Sequence, residues 1–277
     1  MSKQYSDEVE VARSYYNSQD AHNFYYMVWG GEDLHVGVYE NDDEDIFRAS
    51  RRAVERIASH AGRLDKDTKV IDLGGGFSGS ARYLASTYGC HVTVVNLSET
   101  ENERGRKMNR EQGLDHLIDV IDGSYDDVPF DDNHFDVVWS EDAFLHSDQK
   151  QKVIQEAARI LKPGGDLIFT DPMQTDNCDE SVLQPIYGRL NLTEMGSPAE
   201  YRRMAKEAGL KEVTFDELGN HLTRHYQRVL EETEKKEGEL EGHVSREYLE
   251  NMKKGLRHWV NGGKEGNLTW GVFHFRK

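Results

Sequence analysis

Residues 70–85, VIDLGGGFSGSARYLA, constrain the fold more than any other part of the chain. The apolar start, with Val70, Ile71 and Leu73, predicts a buried β-strand. Glycines follow, and glycine lets the backbone turn sharply and approach a ligand without a Cβ in the way. Residues 81–85 then predict a helix. A strand, a glycine turn and a helix in this order indicate the cofactor-binding loop of an α/β protein.

Two cofactors fit this loop when it is considered alone. Gly74 and Gly76, with the glycine three positions later, match the G-x-G-x-x-G pattern of dinucleotide-binding loops, which needs an acidic residue about 20 positions further on. That position holds Asn96. The carboxylate instead precedes the glycines, at Asp72, and this D-x-G-x-G arrangement resembles the first motif of class I S-adenosylmethionine (SAM) methyltransferases. Ser78 departs from that motif, because many of these enzymes have a glycine there.

The chain carries a large acidic surplus, with 34 Lys+Arg against 51 Asp+Glu and a formal net charge of -17. Such a surface repels phosphate backbones and anionic lipids, so neither nucleic acid nor a membrane is expected as a partner. It is similar to the acidic surfaces of proteins from salt-rich cytoplasm. Cys90 and Cys178 are too few for a disulfide framework and lack metal-ligand spacing. We therefore expect a cytoplasmic protein with no metal site and no membrane span.

From residue 69 onward, short apolar strands alternate with helices, which indicates a parallel, doubly wound sheet. Strands are predicted at 69–73, 91–95, 117–121, 135–140 and 166–171, and helices at 78–88, 98–112 and 148–161. Further strands are predicted at 211–218 and 268–276. The expected fold class is α/β, a Rossmann-like, doubly wound and mostly parallel sheet of the class I SAM methyltransferase type.

Helical segments are predicted on both sides of this core along the chain. Residues 1–62 are expected to form an N-terminal helical cover, with Asp20 capping its second helix and a third helix at 43–61. Residues 63–277 are expected to form the SAM-binding methyltransferase core. A helical lid, at about 172–208 and 220–262, is predicted to be inserted before the last strand.

Polar residues follow the predicted strands at their carboxyl ends, where open parallel sheets bind ligands. Asn96 ends the second strand, where its side chain is placed to hydrogen-bond a ribose. Asp122 ends the third and suits the adenine amino group. LKPGG at 161–165 recurs at this place in class I methyltransferases. Binding of a dinucleotide would not require these residues at the strand ends or the LKPGG segment, so SAM is the predicted cofactor. The predicted cofactor-binding residues are Tyr16, Asp72, Gly74, Gly76, Asn96, Leu97, Ser98, Asp122, Gly123, Ser124 and Ser140.

Segments outside the cofactor core resemble one family, the sarcosine/dimethylglycine N-methyltransferases that form the osmolyte glycine betaine. The resemblance covers essentially the whole chain, through YYMVWGGEDLHVGVY, WSEDAFLHS, FTDPM, QPIYGRL, MGSPAEYRRMAKEAGL, LRHWVNGG and LTWG. It implies SAM-dependent methylation of the small amino acids sarcosine and dimethylglycine. Two alternatives stay open: methylation of another small acceptor, such as phosphoethanolamine or a sugar hydroxyl, and SAM binding without catalysis. We expect a monomer or homodimer.

The resemblance also implies two catalytic residues. In related small-molecule methyltransferases a histidine and an aspartate border the acceptor, and His146 and Asp171 match their positions after the fourth and fifth strands. Methyl transfer to an amine is an in-line displacement that needs the free base, so a group that takes the ammonium proton assists it. The structural alternatives are a hydrogen bond at a strand end for His146 and a cap for Asp171.

Aromatic residues of the N-terminal segment are candidates for the acceptor site. A sulfonium and a quaternary ammonium have no N–H to donate, whereas aromatic faces attract such cations. Tyr26 and Trp29 are therefore predicted to bind substrate together with His146, although an aromatic stripe at this spacing is more often core packing.

The acceptor carboxylate requires a guanidinium or paired donors. We choose Arg202 from the arginines of the predicted lid, which are Arg189, Arg202, Arg203 and Arg224. His221 and His225 lie at i and i+4, but no acidic or cysteine residue shares their turn, so we predict no metal site there.

Overall fold

The core of the protein is a single mostly parallel sheet. The computed structural model describes residues 7–178, 183–190, 192 and 194–277. Within these residues, seven strands pair in the order β3-β2-β1-β4-β5-β9-β7. Strand β9 is antiparallel to both neighbours, while β1 to β5 pair in parallel. Their bounds are β1 Lys69–Leu73, β2 His91–Asn96, β3 Ile118–Asp122, β4 Phe135–Glu141, β5 Leu161–Thr170, β7 Lys211–Glu217 and β9 Gly271–Arg276. The expected fold class is confirmed.

Helices flank the sheet and precede it along the chain. Their bounds are α1 Asp7–Asn17, α2 Gln19–Phe24, α3 Ile46–Ala58, α4 Gly79–Tyr88, α5 Glu99–Glu111, α6 Lys150–Ile160, α7 Gln184–Leu190, α8 Pro198–Glu207, α9 Gly219–Lys235, α10 Glu237–Leu240 and α11 Arg246–Lys264. A π-helical turn, Tyr25–Trp29, continues α2, and a 3-10 turn, Phe144–His146, follows β4. Among the described residues, no helix is long and apolar enough to cross a bilayer.

The central strands form where the sequence has β-branched and other apolar residues on both faces. Val70, Ile71 and Leu73 of β1 are fully buried, because helices cover both faces of a parallel sheet. The strand predicted at 166–171 begins earlier, at Leu161, so the LKPGG segment belongs to β5 rather than to a turn before it. Gly164 supplies the positive φ, +79°, that this irregular start requires.

The N-terminal helices depart from the prediction at one cap. Ser18, not Asp20, caps α2, since the Ser18 side chain accepts a hydrogen bond from the Ala21 amide. Asp20 lies inside α2 and accepts a hydrogen bond of 2.8 Å from the Ser245 amide, at the start of α11. This contact joins the N-terminal cover to the predicted lid.

The predicted cover and lid share one apolar core. Phe24 and Trp29 from the cover pack in the same buried cluster as Leu222 of α9 and Trp259 of α11. A two-stranded sheet of β6, Met173–Gln174, and β8, Leu268–Thr269, was not predicted from the sequence and joins the two ends of the lid region. Within the predicted lid segment at about 172–208, α7 is described from Gln184 to Leu190, and residues 179–182 lie outside the described residues. Leu145, which follows the carboxyl end of β4, belongs to the same cluster, so the predicted cover and lid both pack near this edge of the sheet.

Candidate active site

The glycine loop after β1 is built for close backbone approach. Gly74 and Gly76 have φ angles of +84° and +49°, and a Cβ on Gly74 would overlap that of Ala143. Ser78, at the departure from the motif, also has a left-handed backbone, with φ of +61°. A glycine adopts this conformation without strain, which explains why many relatives of the motif have one there.

The Asp33 carboxylate lies at the start of α4, the helix that follows the glycine loop. A Cβ on Gly79 would overlap the Asp33 carboxylate and the Glu32 carbonyl oxygen, so both lie directly against this helix terminus. Asp33 is held there by Arg51, with 2.9 Å between Arg51 Nη2 and Asp33 Oδ2. Dinucleotide-binding loops place a pyrophosphate at the equivalent terminus. Here the Asp33 side chain already fills the space beside this terminus, which disfavours that binding mode.

A cleft of about 590 Å³ opens beside the glycine loop at the ends of β1, β2 and β4. It contains six of the residues predicted to hold the cofactor, which are Tyr16, Gly74, Gly76, Asn96, Leu97 and Ser98. The remaining lining residues are Ala12, Leu34, Glu101, Tyr125, Glu141, Asp142, Ala143 and His146. We refer to this space as the cofactor cleft.

The other predicted cofactor residues lie next to the cofactor cleft or behind it. Asp72 is buried below the glycine loop in an adjoining space, where burial and then Glu141 raise its pKa well above the ordinary value. Ser140 is buried and donates a hydrogen bond of 2.7 Å to the Leu73 carbonyl. Asp122 stands beside Asn96 at the end of β3, where its carboxylate accepts hydrogen bonds from Asn102 and Arg106.

Gly123 and Ser124 continue past that strand end. The Gly123 amide donates to the Asn96 carbonyl over 3.1 Å, and the Ser124 hydroxyl donates to Asp126. Both residues are buried and shape the loop that borders the cleft rather than contributing to its described lining.

Glu101, in the first turn of α5, is a cleft residue that the sequence reasoning missed. Its carboxylate accepts a hydrogen bond of 3.0 Å from the Asn96 side-chain amide, and the residue is 4% exposed. Burial raises the Glu101 pKa to about 7. The only sequence signal was an acidic residue shortly after a strand end, which is also the common pattern of a helix N-terminus.

A second cavity, of about 510 Å³, adjoins the cofactor cleft. We call it the acceptor cavity, and its lining is Tyr16, Tyr25, Trp29, Leu34, His35, Val36, Asp142, Leu145, His146, Pro172 and Tyr226. Four residues, Tyr16, Leu34, Asp142 and His146, line both spaces. The Tyr16 hydroxyl and His146 Nε2 are 2.8 Å apart, in a hydrogen bond at this junction.

Asp142 holds the wall between the two spaces. Its Oδ1 accepts hydrogen bonds from Thr170 and Trp270, each 2.7 Å long, and its Oδ2 accepts one of 2.7 Å from the Val36 amide. The backbone of Asp142 is left-handed, with φ of +53°. A non-glycine residue in this conformation is strained and is typical of functional sites.

A buried ion pair lies behind the same wall. His35 Nε2 and Glu141 Oε2 are 2.9 Å apart, and both side chains are 5% exposed. Although burial alone disfavours the charge, Glu141 raises the His35 pKa to about 10. His35 Nδ1 also lies 3.1 Å from the Val36 carbonyl oxygen, so a doubly protonated ring satisfies both contacts.

Asp171 does not contact either space. It is fully buried, and its two oxygens accept hydrogen bonds from the Leu145 amide, at 2.9 Å, and the Tyr201 hydroxyl, at 2.6 Å. Leu145 belongs to the 3-10 turn that ends at His146. Asp171 is not among the described lining residues of either space, so its catalytic role stays a prediction, and its bond to Leu145 holds the turn that ends at His146.

Two predicted substrate contacts lie elsewhere on the molecule. Tyr26 is 45% exposed, and the Arg104 guanidinium stacks on its ring at 3.9 Å. Arg202 pairs with Glu212 at 2.8 Å and packs over Phe215 at the β7 edge of the sheet. Neither side chain is in the described lining of the acceptor cavity, so the structure gives no support to these two substrate contacts, which stay predictions.

Arg203 and Arg224, which were also considered for the acceptor carboxylate, likewise lie outside the described cavity lining. Arg203 pairs with Glu207 at 3.1 Å, and Arg224 pairs with Asp42. The side chain of Arg189 lies outside the described residues. Within the described residues, no group of three or more His, Cys, Asp or Glu side chains is arranged to hold a metal ion.

Comparisons with known proteins agree with this geometry. A family model described as a methyltransferase domain matches residues 71–169. The sarcosine/dimethylglycine N-methyltransferase of Halorhodospira halochloris is 56% identical over 100% of both chains. The glycine/sarcosine/dimethylglycine N-methyltransferase of Actinopolyspora halophila is 52% identical over 98% of this chain and 48% of its own. A crystal structure of a Galdieria sulphuraria protein assigned as a sarcosine dimethylglycine methyltransferase superposes with a TM-score of 0.90 and 43% identity, covering 95% of this chain and 98% of that one.

Proposed function

The chain belongs to the sarcosine/dimethylglycine N-methyltransferases, and from this premise we propose that it methylates sarcosine and dimethylglycine with SAM to form glycine betaine. The observation that carries the proposal is the junction of two adjoining spaces. The cofactor cleft and the acceptor cavity meet at Tyr16, Leu34, Asp142 and His146. A transfer between two bound molecules requires such a junction, because the reacting atoms must approach to about 3–3.5 Å.

The residues of the cofactor cleft fit SAM. Glycines at 74 and 76 keep the floor of the cleft free of side chains, and Asn96 and Glu101 supply polar groups for hydroxyls at the end of β2. Asp72 Oδ2 is buried and lacks a hydrogen-bond partner among the described residues, so a polar group of a ligand near the loop would satisfy it. When bound, SAM supplies the electrophilic methyl group. The protein's task is to align an acceptor with it.

The walls of the acceptor cavity suit a small methylated amine. Tyr16, Tyr25, Trp29 and Tyr226 contribute aromatic rings, and Asp142 contributes a carboxylate. Aromatic faces attract ammonium cations by roughly 0.5–2 kcal/mol each. Dimethylglycine offers methyl groups rather than several N–H donors, so aromatic contact and size select it better than hydrogen bonding does.

His146 and Tyr16 are the groups placed to handle the acceptor proton. An amino-acid amine is mostly protonated at neutral pH, and the lone pair becomes available only when that proton leaves. His146 Nε2 lies at the junction, and its hydrogen bond to Tyr16 fixes the ring. A neutral imidazole there accepts the ammonium proton, directly or through the tyrosine hydroxyl.

The acceptor carboxylate faces a different environment from the one the sequence suggested. Within the described lining of the acceptor cavity there is no lysine or arginine, and His35 is the cationic side chain. Both ring nitrogens of His35 already have partners, so this residue contributes charge rather than a new hydrogen bond. A phosphorylated acceptor carries more negative charge and would lie beside Asp142, which disfavours phosphoethanolamine.

The test is turnover with labelled SAM and single acceptors. Purified protein is incubated separately with glycine, sarcosine, dimethylglycine and phosphoethanolamine, and the methylated products are quantified. We expect products from sarcosine and dimethylglycine, with glycine poorer because it lacks two methyl contacts. One methyl group changes affinity by about 1–3 kcal/mol, so the ranking should be measurable. Turnover of phosphoethanolamine alone, or tight SAM binding without any turnover, would favour one of the two alternatives.

A further inference from the structure

Residues 34–39, which we call the strap, run between the lid helix α9 and the end of β4. Side chains from both directions accept hydrogen bonds from the strap backbone. The Val36 amide donates to Asp142 Oδ2 at 2.7 Å, and the Gly37 amide donates to His225 Nδ1 at 3.1 Å. The Tyr39 amide donates to His221 Nδ1, also at 3.1 Å. The strap also supplies Leu34, His35 and Val36 to the acceptor cavity.

Of the two α9 histidines that bond the strap, His225 is the more constrained by its surroundings. It is fully buried, and its Nδ1 accepts a second hydrogen bond, of 2.9 Å, from the Tyr39 hydroxyl. An Nδ1 that accepts must carry a lone pair, so the ring is neutral with its proton on Nε2. Burial and then the His35 charge lower the His225 pKa to about 3, which keeps the ring in this form at neutral pH.

His225 also contacts the wall of the acceptor cavity from outside. Its ring centroid lies 4.9 Å from that of Trp29, at an interplanar angle of 60°. The Trp29 indole N–H donates to the His35 carbonyl oxygen at 3.1 Å, and the Ser50 hydroxyl donates to the same oxygen. His225 on α9 therefore contacts Trp29, which lines the acceptor cavity, and also holds the strap by its bond to the Gly37 amide.

The strap is packed closely against α3 while these bonds are in place. A Cβ on Gly37 would lie 2.7 Å from the backbone carbon of Ala49, so the strap packs tightly on α3. Removal of the Nδ1 acceptor would leave the Gly37 amide and the Tyr39 hydroxyl buried without this partner, which is unfavourable. The strap would then shift to find another acceptor, and its contacts with Trp29 would change with it.

We propose that His225 is a positioning residue for the acceptor: through the Gly37 amide and the Trp29 ring, it fixes the acceptor wall relative to His146 and couples α9 to acceptor binding. This inference rests on the proposed methyl transfer to dimethylglycine. It assigns to His225 no contact with either substrate. Its consequence is a defect confined to the acceptor side when the Nδ1 acceptor is lost.

Three substitutions separate this role from bulk packing. His225→Asn places its Oδ1 at the position of the histidine Nδ1, because both atoms are attached to Cγ. His225→Gln moves the acceptor one bond further out, and His225→Leu removes it. His221→Leu is the matched control, since it removes one strap acceptor from the same helix, one turn away, without an aromatic contact to Trp29.

The experiment measures kcat and KM for dimethylglycine, the SAM Kd by calorimetry, and the thermal midpoint of each variant. We expect His225→Leu and His225→Gln to raise the dimethylglycine KM about tenfold, with the SAM Kd within about twofold of wild type. His225→Asn should stay within about threefold of the wild-type KM, and His221→Leu within about twofold. If the leucine protein does not fold, the Gln and Asn pair carries the comparison.

Distinct outcomes separate the failure of each idea. A wild-type protein that does not methylate dimethylglycine overturns the proposed function and this inference with it. A wild type that turns over, with an unchanged KM in both His225→Leu and His225→Gln, overturns the inference alone. An equal rise in KM for His221→Leu, or a matching loss of SAM affinity in the His225 variants, assigns the residue to general stability and also overturns it.

Discussion

Trp29 and Tyr26 lie three residues apart on the π-helical turn and have different surroundings. Trp29 is 6% exposed and lines the acceptor cavity, whereas Tyr26 is 45% exposed and packs against Arg104. The two substitutions to alanine form a matched pair, because both remove an aromatic ring from one helical turn.

We expect Trp29→Ala to lower kcat/KM for dimethylglycine by about 10–100-fold, since a cation-binding wall and its packing are lost. Tyr26→Ala should leave kcat/KM within about twofold, because the contacts that it loses, a cation-π contact with Arg104 worth about 0.5–1 kcal/mol and an edge contact with Phe77, lie outside the acceptor cavity. Steady-state kinetics with saturating SAM measures both. Equal losses in the two variants would contradict the assignment of the cavity wall.

Glu101 gives a prediction about pH. Its folded-state pKa is about 7, above the ordinary 4.5, so the folded protein holds this proton where the unfolded chain has released it. The stability that the protonated form provides is fully present below about pH 4.5 and is lost as the pH rises through about 7.

Glu101→Gln mimics the protonated carboxyl group at every pH. Its thermal midpoint should therefore lie close to that of the wild type at pH 5 and above it at pH 8, when ligand-free proteins are compared. Calorimetric scans at the two pH values test this. If Glu101→Gln is equally destabilised at both pH values, ionisation of the buried Glu101 carboxylate does not destabilise the folded protein.

At the level of secondary structure elements, the start of α4 shows how closely Glu32 and Asp33, which precede the strap, pack on the end of the glycine loop. Gly79→Ala should destabilise the protein by about 1–3 kcal/mol, because its Cβ would overlap the Asp33 carboxylate and the Glu32 carbonyl oxygen. SAM affinity should fall as well, since the glycine loop precedes α4.

Gly238→Ala in α10 is the matched control. A Cβ there meets nothing within 4 Å, so this change should be neutral or slightly stabilising. Urea unfolding measures the free energy of both variants. Equal stability of Gly79→Ala and the wild type would show that Glu32 and Asp33 move away from α4 at little cost.

The N-terminal cover divides into two parts that should differ in mobility. Helix α1 is joined to α5 by Glu99, a half-exposed side chain that bonds Arg13 and Asn17, and by Asn17 Oδ1, which accepts hydrogen bonds from Ser98 and Thr100. Gly30 and Gly31, with φ angles of +123° and +86°, separate this part from the strap, whose amides bond to Asp142, His221 and His225.

Amide hydrogen exchange should reveal this division. Strap amides should exchange slowly without ligand, because their acceptors are fixed by the lid and the sheet. Amides of α1 should slow markedly only when SAM and an acceptor are both present, since Ala12 and Tyr16 line the cofactor cleft. Strap amides that exchange as fast as those of α1 without ligand would contradict the idea of a fixed wall.

For the whole molecule, the net charge of -17 predicts a response to salt. The Debye length falls from about 10 Å at 0.1 M to about 3 Å at 1 M, so salt weakens repulsion within the acidic surplus. The thermal midpoint should rise between 0.1 M and 1 M, to the same extent with KCl and NaCl. A midpoint that falls over this range would mean that surface ion pairs contribute more than the net repulsion.

The fold and the cofactor could be predicted from patterns of neighbouring residues in the sequence. The glycine loop needs left-handed backbone and close approach at particular positions, and the buried strands need apolar residues on both faces, so each leaves a readable signal in neighbouring residues. The family resemblance then predicted the class of acceptor and the candidate catalytic residue His146. Five of the predicted residues that line the cofactor cleft, Gly74, Gly76, Asn96, Leu97 and Ser98, follow strand ends, which meet at one edge of a parallel sheet.

Only the tertiary structure determined which residues surround the carboxyl edge of the sheet. Asp33 lies at the start of α4, and His225 reaches the strap from α9, because distant helices pack into one apolar core. Arg202 and Asp171 had the right chemistry but have partners elsewhere, Glu212 for the first and Leu145 and Tyr201 for the second. Residue type and spacing do not specify which groups become buried together, since that depends on how whole helices orient against the sheet.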